Sequence, residues 1–241
     1  MFRYAAPLIV RCRSGGRIDF KGSQVEKDLL VWGVRWHVAY PISYRQLEEM
    51  MGERGVAVDP ATLNRWVIKY APEFEKQCRR CQRPVGRSWR LEETYVKIKG
   101  KWASWYRAVD KEGHTIDLLL TPRRDQDAAE AFLRKANGKQ RIPEKITIDP
   151  SGSHTAAIKR YNRRHTTGIA LRQGKDLNHI VEPAQRAVKR QVRPLLGFNS
   201  FWAARCPLAG MEVRHALGKG QLVTPGLAAQ TPAEQFYALA A

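Results

Sequence analysis

Carboxylates are scarce in this chain, which makes their placement informative. Asp and Glu number 23 against 42 Lys and Arg, a formal net charge of +19. Glu92 and Glu93 lie in the strand-like run Trp89–Ile98, where successive side chains point to opposite faces, so only one of the two can serve a given site. Asp149 closes the run Ile146-Thr147-Ile148 and is followed by Pro150, Ser151 and Gly152, a setting that presents a carboxylate at the rim of a sheet. Glu182 stands near the start of a helical stretch, where the helix dipole favours its ionised form. Carboxylates brought together in this way suit Mg2+, with Mn2+ able to substitute. Two such ions can activate a water or a DNA 3′-hydroxyl and stabilise the leaving oxygen in phosphoryl transfer. Taken singly, each acid is more often a surface charge or a helix cap, and spacing alone does not assemble the three.

The elements that would carry these acids read as a mixed sheet. Three antiparallel strands are predicted over Trp89–Ile98, Trp102–Asp110 and His114–Thr121, joined at Lys99-Gly100-Lys101 and at the Asp110-Lys111-Glu112-Gly113 turn. A helix over Asp125–Asn137 stopped by Gly138, a short buried strand at Lys145–Ile148, a helix over Ser153–Arg163 and a last strand at Ile169–Arg172 follow, and the chain is then helical to about Lys219. That order predicts an α/β fold. Upstream, Gln24–Tyr40 reads as a helix ended by Pro41, and Ser43 caps a second one carrying Tyr44, Leu47, Met50 and Met51. Asp59-Pro60 opens a third over Ala61–Tyr70. Leu63, Trp66, Val67 and Tyr70 face inward there, leaving Thr62, Asn64, Arg65 and Lys69 for a DNA groove or phosphates, as in a helix-turn-helix; an ordinary small helical bundle is the alternative. The organisation expected is a basic lead over residues 1–20, a helix-turn-helix domain over 21–75, a basic linker over 76–88, a catalytic core over 89–222 and a tail over 223–241.

Composition narrows the partners. With 241 residues the chain can bury one core and a small module, and a pI near 10.2 points to a polyanion, nucleic acid above all. No run approaches the roughly 20 apolar residues of a membrane span. Met1–Arg13 is too short and too rich in Arg for a signal peptide, so a cytoplasmic place is expected. The four cysteines, Cys12, Cys78, Cys81 and Cys206, are too few and scattered for a disulfide framework, so reduced thiols are expected. Cys78 and Cys81 have the spacing of half a zinc site with no second pair to complete it. The tryptophans read as core, with Trp102 and Trp105 the candidates for base stacking.

The ordered motifs join these fragments. Leu91-Glu92-Glu93-Thr94-Tyr95 with Lys97-Ile98-Lys99-Gly100-Lys101-Trp102, then Tyr106-Arg107-Ala108-Val109-Asp110, Ile148-Asp149, and Asn178-His179-Ile180-Val181-Glu182 follow one another. Tyr44-Arg45-Gln46-Leu47-Glu48-Glu49-Met50 and Asn64-Arg65-Trp66 precede them, and Val192-Arg193-Pro194-Leu195-Leu196-Gly197-Phe198 follows. From about Phe20 to Leu222 the chain resembles the DDE transposases of the insertion-sequence-six family. The resemblance implies an RNase H-like core flanked by helices, with Glu92, Asp149 and Glu182 as catalytic, metal-holding acids and two Mg2+ ions as cofactors. It implies transposon-end and target double-stranded DNA as partners, cointegrate formation by a homodimer or larger assembly, and a bacterial, nucleoid-associated setting. Lys189 matches a basic family position near the cut; Arg186, Arg190 and Arg193 share its basic helix. Three departures stand out. The family's first acid is Asp, and Glu92 extends the carboxylate by about a bond length in a site tolerating roughly 0.5 Å. Pro183-Ala184-Gln185-Arg186 stands where Gln-Asp-His-Arg is usual, and the interval from Asp149 to Glu182 is shorter than usual. These departures motivate a rival expectation, a transposase-derived DNA-binding protein with impaired catalysis.

Overall fold

A computed structural model of the chain describes residues 18–21, 25–122, 125–148, 152–174, 182–195, 197–223 and 230–240. Two units emerge: Met1–Arg83 with Arg190–Ala241, and Pro84–Lys189.

In the first unit, α1 (Lys27–Ala39) buries Leu30, Val31, Val34 and Val38. Ser43 opens α2 (Tyr44–Gly52) with a capping box: Gln46 N donates to Ser43 Oγ at 3.3 Å and Ser43 N donates to Gln46 Oε1 at 2.8 Å, satisfying two helix-end amides. Asp59 caps α3 (Pro60–Arg80), accepting from Thr62 N at 3.0 Å. This third helix is 21 residues long and runs through Pro72 to Arg80, so Lys76–Arg80 are helical where the sequence predicts linker. An interior proline costs about 3 kcal/mol. Tyr70, Ala71, Phe74 and Cys78, all buried on this helix, offset that cost by packing on both sides of the proline.

The same unit is completed from the far end of the chain. α7 (Phe201–Gly218) and α8 (Pro232–Ala238) place Val213, Leu217 and Phe236 in one core with Leu30, Leu47, Leu63 and Phe74. Phe74 and Phe236 stack with ring centroids 4.4 Å apart. α7 passes α1 at Gly210, where a Cβ would stand 2.4 Å from Val38 Cγ1. Pro207 lies inside α7 without ending it. Arg83 N donates to Gln221 O at 2.9 Å and Val223 N to Cys81 O at 2.7 Å, tying the segment after α7 to the one after α3. The sequence places residues up to 222 with the catalytic core; the contacts group Arg190–Ala241 with the N-terminal helices.

The second unit is a five-stranded sheet in the order β3-β2-β1-β4-β5. β1 (Ser88–Ile98), β2 (Lys101–Asp110) and β3 (Thr115–Thr121) are antiparallel neighbours. The first hairpin turns on two residues, Lys99 and Gly100, both with positive φ (49° and 76°), the mirror-image turn whose twist matches that of paired strands. β4 (Lys145–Ile148) runs parallel to β1, with Thr147 opposite Arg90, and β5 (Ala170–Gln173) runs parallel to β4. Between them lie α4 (Gln126–Lys139), capped by Asp125, and α5 (Gly152–His165). Phe132, Leu133, Ala157 and Ile158 of these helices share a core with Trp89, Leu91, Tyr106 and Ala108 of the sheet. Gly138, expected as the stop of α4, lies within it. Glu130 on α4 is paired with Arg160 and Arg164 of α5.

Candidate active site

The middle strand of the sheet carries the first candidate ligand. Glu92 is 5% exposed on β1, and its partner across β2 is Arg107, 2% exposed. Arg107 Nη1 stands 3.7 Å from Glu92 Oε2, an ion-pair separation longer than a hydrogen bond. Arg107 Nη2 donates to Thr115 Oγ1 at 3.2 Å on β3, which fixes the guanidinium from the far side. A buried cation beside a buried carboxylate orients it.

Glu93 belongs to the opposite face. Its Oε1 accepts from Ser104 Oγ at 2.6 Å, and its Oε2 stands 3.9 Å from His154 Nε2 on α5. His154 also lies against Tyr106, ring centroids 5.4 Å apart. Glu92 and Glu93 are thus divided as strand alternation requires, Glu93 toward α5 and Glu92 toward Arg107.

Asp149 and the side chain of Glu182 lie outside the described residues, as does His179. Glu182 is the first residue of α6 (Glu182–Val192), which puts Pro183 in the opening turn, where no amide donor is required. Beyond it Arg186, Lys189 and Arg190, with Arg193 of the short 3-10 turn Arg193–Leu195, are exposed, whereas Val188 and Gln191 are buried. Spacings of three, four and seven residues make the four cations one stripe. On α3, Arg65 and Lys69 are exposed and Thr62 and Asn64 half-buried; Thr62 Oγ1 donates to Asp59 Oδ2 at 2.6 Å and accepts from Arg65 Nη2 at 2.6 Å. The Thr62 hydroxyl and amide hold the Asp59 carboxyl below its ordinary range.

Among the described residues, Asp110, Glu112 and His114 form a cluster whose ligand atoms all lie within 4.8 Å of one another. It sits at the β2–β3 turn, three residues along β2 from Arg107, and Asp110 is already committed to backbone. Its Oδ1 accepts from Glu112 N (3.0 Å) and His114 N (2.9 Å), and its Oδ2 from Gly86 N (3.0 Å). The carboxylate builds the turn.

The three described cysteines, Cys78, Cys81 and Cys206, are buried. Cys78 and Cys206 are free and buried, and burial pushes the Cys78 thiol up to about 12. Cys81, the residue that follows α3, is buried as well.

The model of the DDE domain family matches residues 86–221. The transposase for insertion sequence-like element IS431mec of Staphylococcus aureus is 35% identical over 208 residues, covering 83% of this chain and 88% of the relative. The Staphylococcus aureus transposase for insertion sequence element IS257 in transposon Tn4003 matches with the same identity and coverage. Among solved structures, the catalytic core domain of BIV integrase is similar with a TM-score of 0.42 and 16% identity, covering 63% of this chain and 94% of that one. The HTLV-2 integrase catalytic core domain in complex with magnesium gives 0.38 and 14%, covering 47% and 75%.

A mixed five-stranded sheet flanked by helices, inside a matched DDE domain, defines the class as DDE-domain proteins. The chain belongs to the DDE transposases of the insertion-sequence-six family. It is an insertion-sequence transposase of the DDE type, and its family is one of polynucleotidyl transferases. Three N-terminal helices stand where the helix-turn-helix is expected. No described helix is long and apolar enough to cross a membrane.

Proposed function

We propose that this chain cuts DNA at insertion-sequence ends and joins it to target DNA, with Glu92, Asp149 and Glu182 as the catalytic acids and holders of two Mg2+ ions, for which Mn2+ can substitute. An all-oxygen donor set fits these hard cations. When bound, the ions supply Lewis-acid activation of the attacking oxygen and neutralise charge at the leaving one. Arg107 holds the Glu92 carboxylate in one orientation. Water attacks a phosphodiester, its oxygen bonds to phosphorus as the 3′ oxygen leaves and takes up a proton, and the freed 3′-hydroxyl then loses its proton and bonds to a target phosphorus as the target strand's own 3′ oxygen leaves. Arg186, Lys189, Arg190 and Arg193 take phosphates on the exposed stripe of α6. Thr62, Asn64, Arg65 and Lys69 take the duplex at the start of α3. Replicative cointegrate formation, action as a homodimer or larger assembly on double-stranded DNA, and a cytoplasmic, nucleoid-associated place complete the reading.

The observation that carries it is the parallel pairing of β4 with β1, Thr147 opposite Arg90, each two residues ahead of a proposed ligand in the sequence. The test is a strand-transfer assay with labelled end DNA in Mg2+ and in Mn2+. Wild type yields joined product, and Glu92→Gln lowers it by roughly a hundredfold or more. The second reading, a DNA-binding protein with impaired catalysis, draws on the burial of Glu92 against Arg107 and on its extra methylene. No product from wild type together with product from Glu92→Asp would establish it and remove the first.

A further inference from the structure

The hairpin that carries Glu92 ends in a basic, aromatic strip facing solvent. Trp102 is 66% exposed and Tyr95 42% exposed, whereas Trp105, three residues on and therefore on the other face, is 2% exposed. Lys97 is the cross-strand partner of Trp102, and Tyr95 lies diagonally beside it, so all three share one face at neighbouring positions. Glu93 and Ser104 continue that face under α5; past them the strip is open. Lys99 and Lys101 flank the tight Lys99-Gly100 turn, and both are exposed with Lys97. Between Thr94 and Val109 there is no acidic residue. Among the described residues none of the three ammonium groups is held in an ion pair.

An exposed indole with a lysine at its side and no carboxylate nearby matches the needs of a nucleic-acid strand: a flat face for a base and cations for the adjoining phosphates. A second copy of the chain would bring a strip equally rich in lysine against it, which like charges oppose. Within a paired duplex the base faces are already stacked, so the strip selects bases outside the stack. We propose that the β1–β2 hairpin docks an unpaired nucleotide of the DNA substrate, its base on Trp102 and its flanking phosphates on Lys97, Lys99 and Lys101. This rests on the DNA-processing reading above and adds a contact that neither the acids nor α3 and α6 supply.

The test compares two probes on the full chain: a forked duplex with 2-aminopurine in its unpaired arm, and the fully paired duplex of the same sequence. Wild type binds the fork more tightly and quenches the 2-aminopurine. Trp102→Ala loses roughly tenfold in affinity for the fork, loses the quench and keeps its affinity for the paired duplex; Trp102→Phe restores most of both. Lys97→Ala lowers the slope of log affinity against log salt by about 0.7 on the unpaired arm. Trp102→Ala matching wild type on both probes overturns the strip while leaving the DNA reading intact. So does a Trp102→Ala protein altered only in sedimentation, which would mark a self-association surface. Wild type that binds neither probe overturns the DNA reading and the strip with it.

Discussion

In the helical unit the largest fully buried side chains are apolar or aromatic, Leu30, Leu47, Met51, Leu63, Tyr70 and Phe74 among them, whereas the sheet unit encloses Glu92, Arg107, Asp110 and Asp117 at 5% exposure or less. Among the described residues the helical unit's buried groups of the Asp, Glu, His, Lys and Arg kinds are His37 and Glu212. Apolar packing tolerates many equivalent solutions, but a buried charge is stable only with its partner in place. The sheet unit therefore trades robustness for fixed, buried carboxylates, and the helical unit does not.

The sharpest way to break this comparison is to remove one partner. Arg107→Ala removes the buried cation beside Glu92 and is expected to destabilise the sheet unit by about 3–5 kcal/mol, read by urea denaturation. Glu92→Gln with Arg107→Met removes both charges and recovers most of that. A cost below about 1 kcal/mol, the range of exposed pairs, would mean that water reaches the pair.

The helical unit has its own weak point in His37. Its ring stacks on Tyr44, centroids 4.1 Å apart, and among the described residues neither ring nitrogen finds a hydrogen-bond partner. Burial lowers its pKa from 6.5 to about 4. The unfolded chain takes up this proton first as pH falls, so the neutral ring's contribution is whole above pH 6.5 and is lost progressively between there and about 4. The loss is about 3 kcal/mol. His37→Phe should flatten the dependence of thermal midpoint on pH across that window; an unchanged slope would show the imidazole to be hydrated.

The smallest effects are steric. Gly210→Ala drives a methyl into Val38 and should cost about 1–3 kcal/mol. Gly138→Ala, with nothing within 4 Å of the added carbon on α4, should stabilise by about 0.4–1 kcal/mol. Equal midpoints for the two variants would show that α1 and α7 can separate without loss.

The local signals were readable in advance. Ser43 and Asp59 cap as their sequence contexts predict, and β4 spans Lys145–Ile148 as expected. Counting outward from Lys99-Gly100 sets Glu92 opposite Arg107 and Lys97 opposite Trp102, so the ion pair and the strip were both legible once the turn was placed. Strand alternation also separates Trp102 from Trp105, which the sequence reading grouped together. The run of α3 past Pro72 was not legible, because propensity sees the proline and not the core that holds both sides of it. Nor was the return of α7 and α8 to the N-terminal helices: apolar periodicity says that a face is buried, never against which distant segment. Of the three acids, only Glu92 has a described side chain, and its role came from the order of motifs, not from spacing.

That return has a consequence for how the molecule comes into being. During synthesis the first three helices leave the ribosome long before Val213, Leu217 and Phe236 exist to seal them, while everything needed for the sheet is contiguous. The sheet can close on itself during translation; the helical bundle must wait for α7 and α8. A shortened product ending after the sheet would carry an open apolar groove on its leading helices, a target for chaperones and proteases and a poor candidate for an independent repressor.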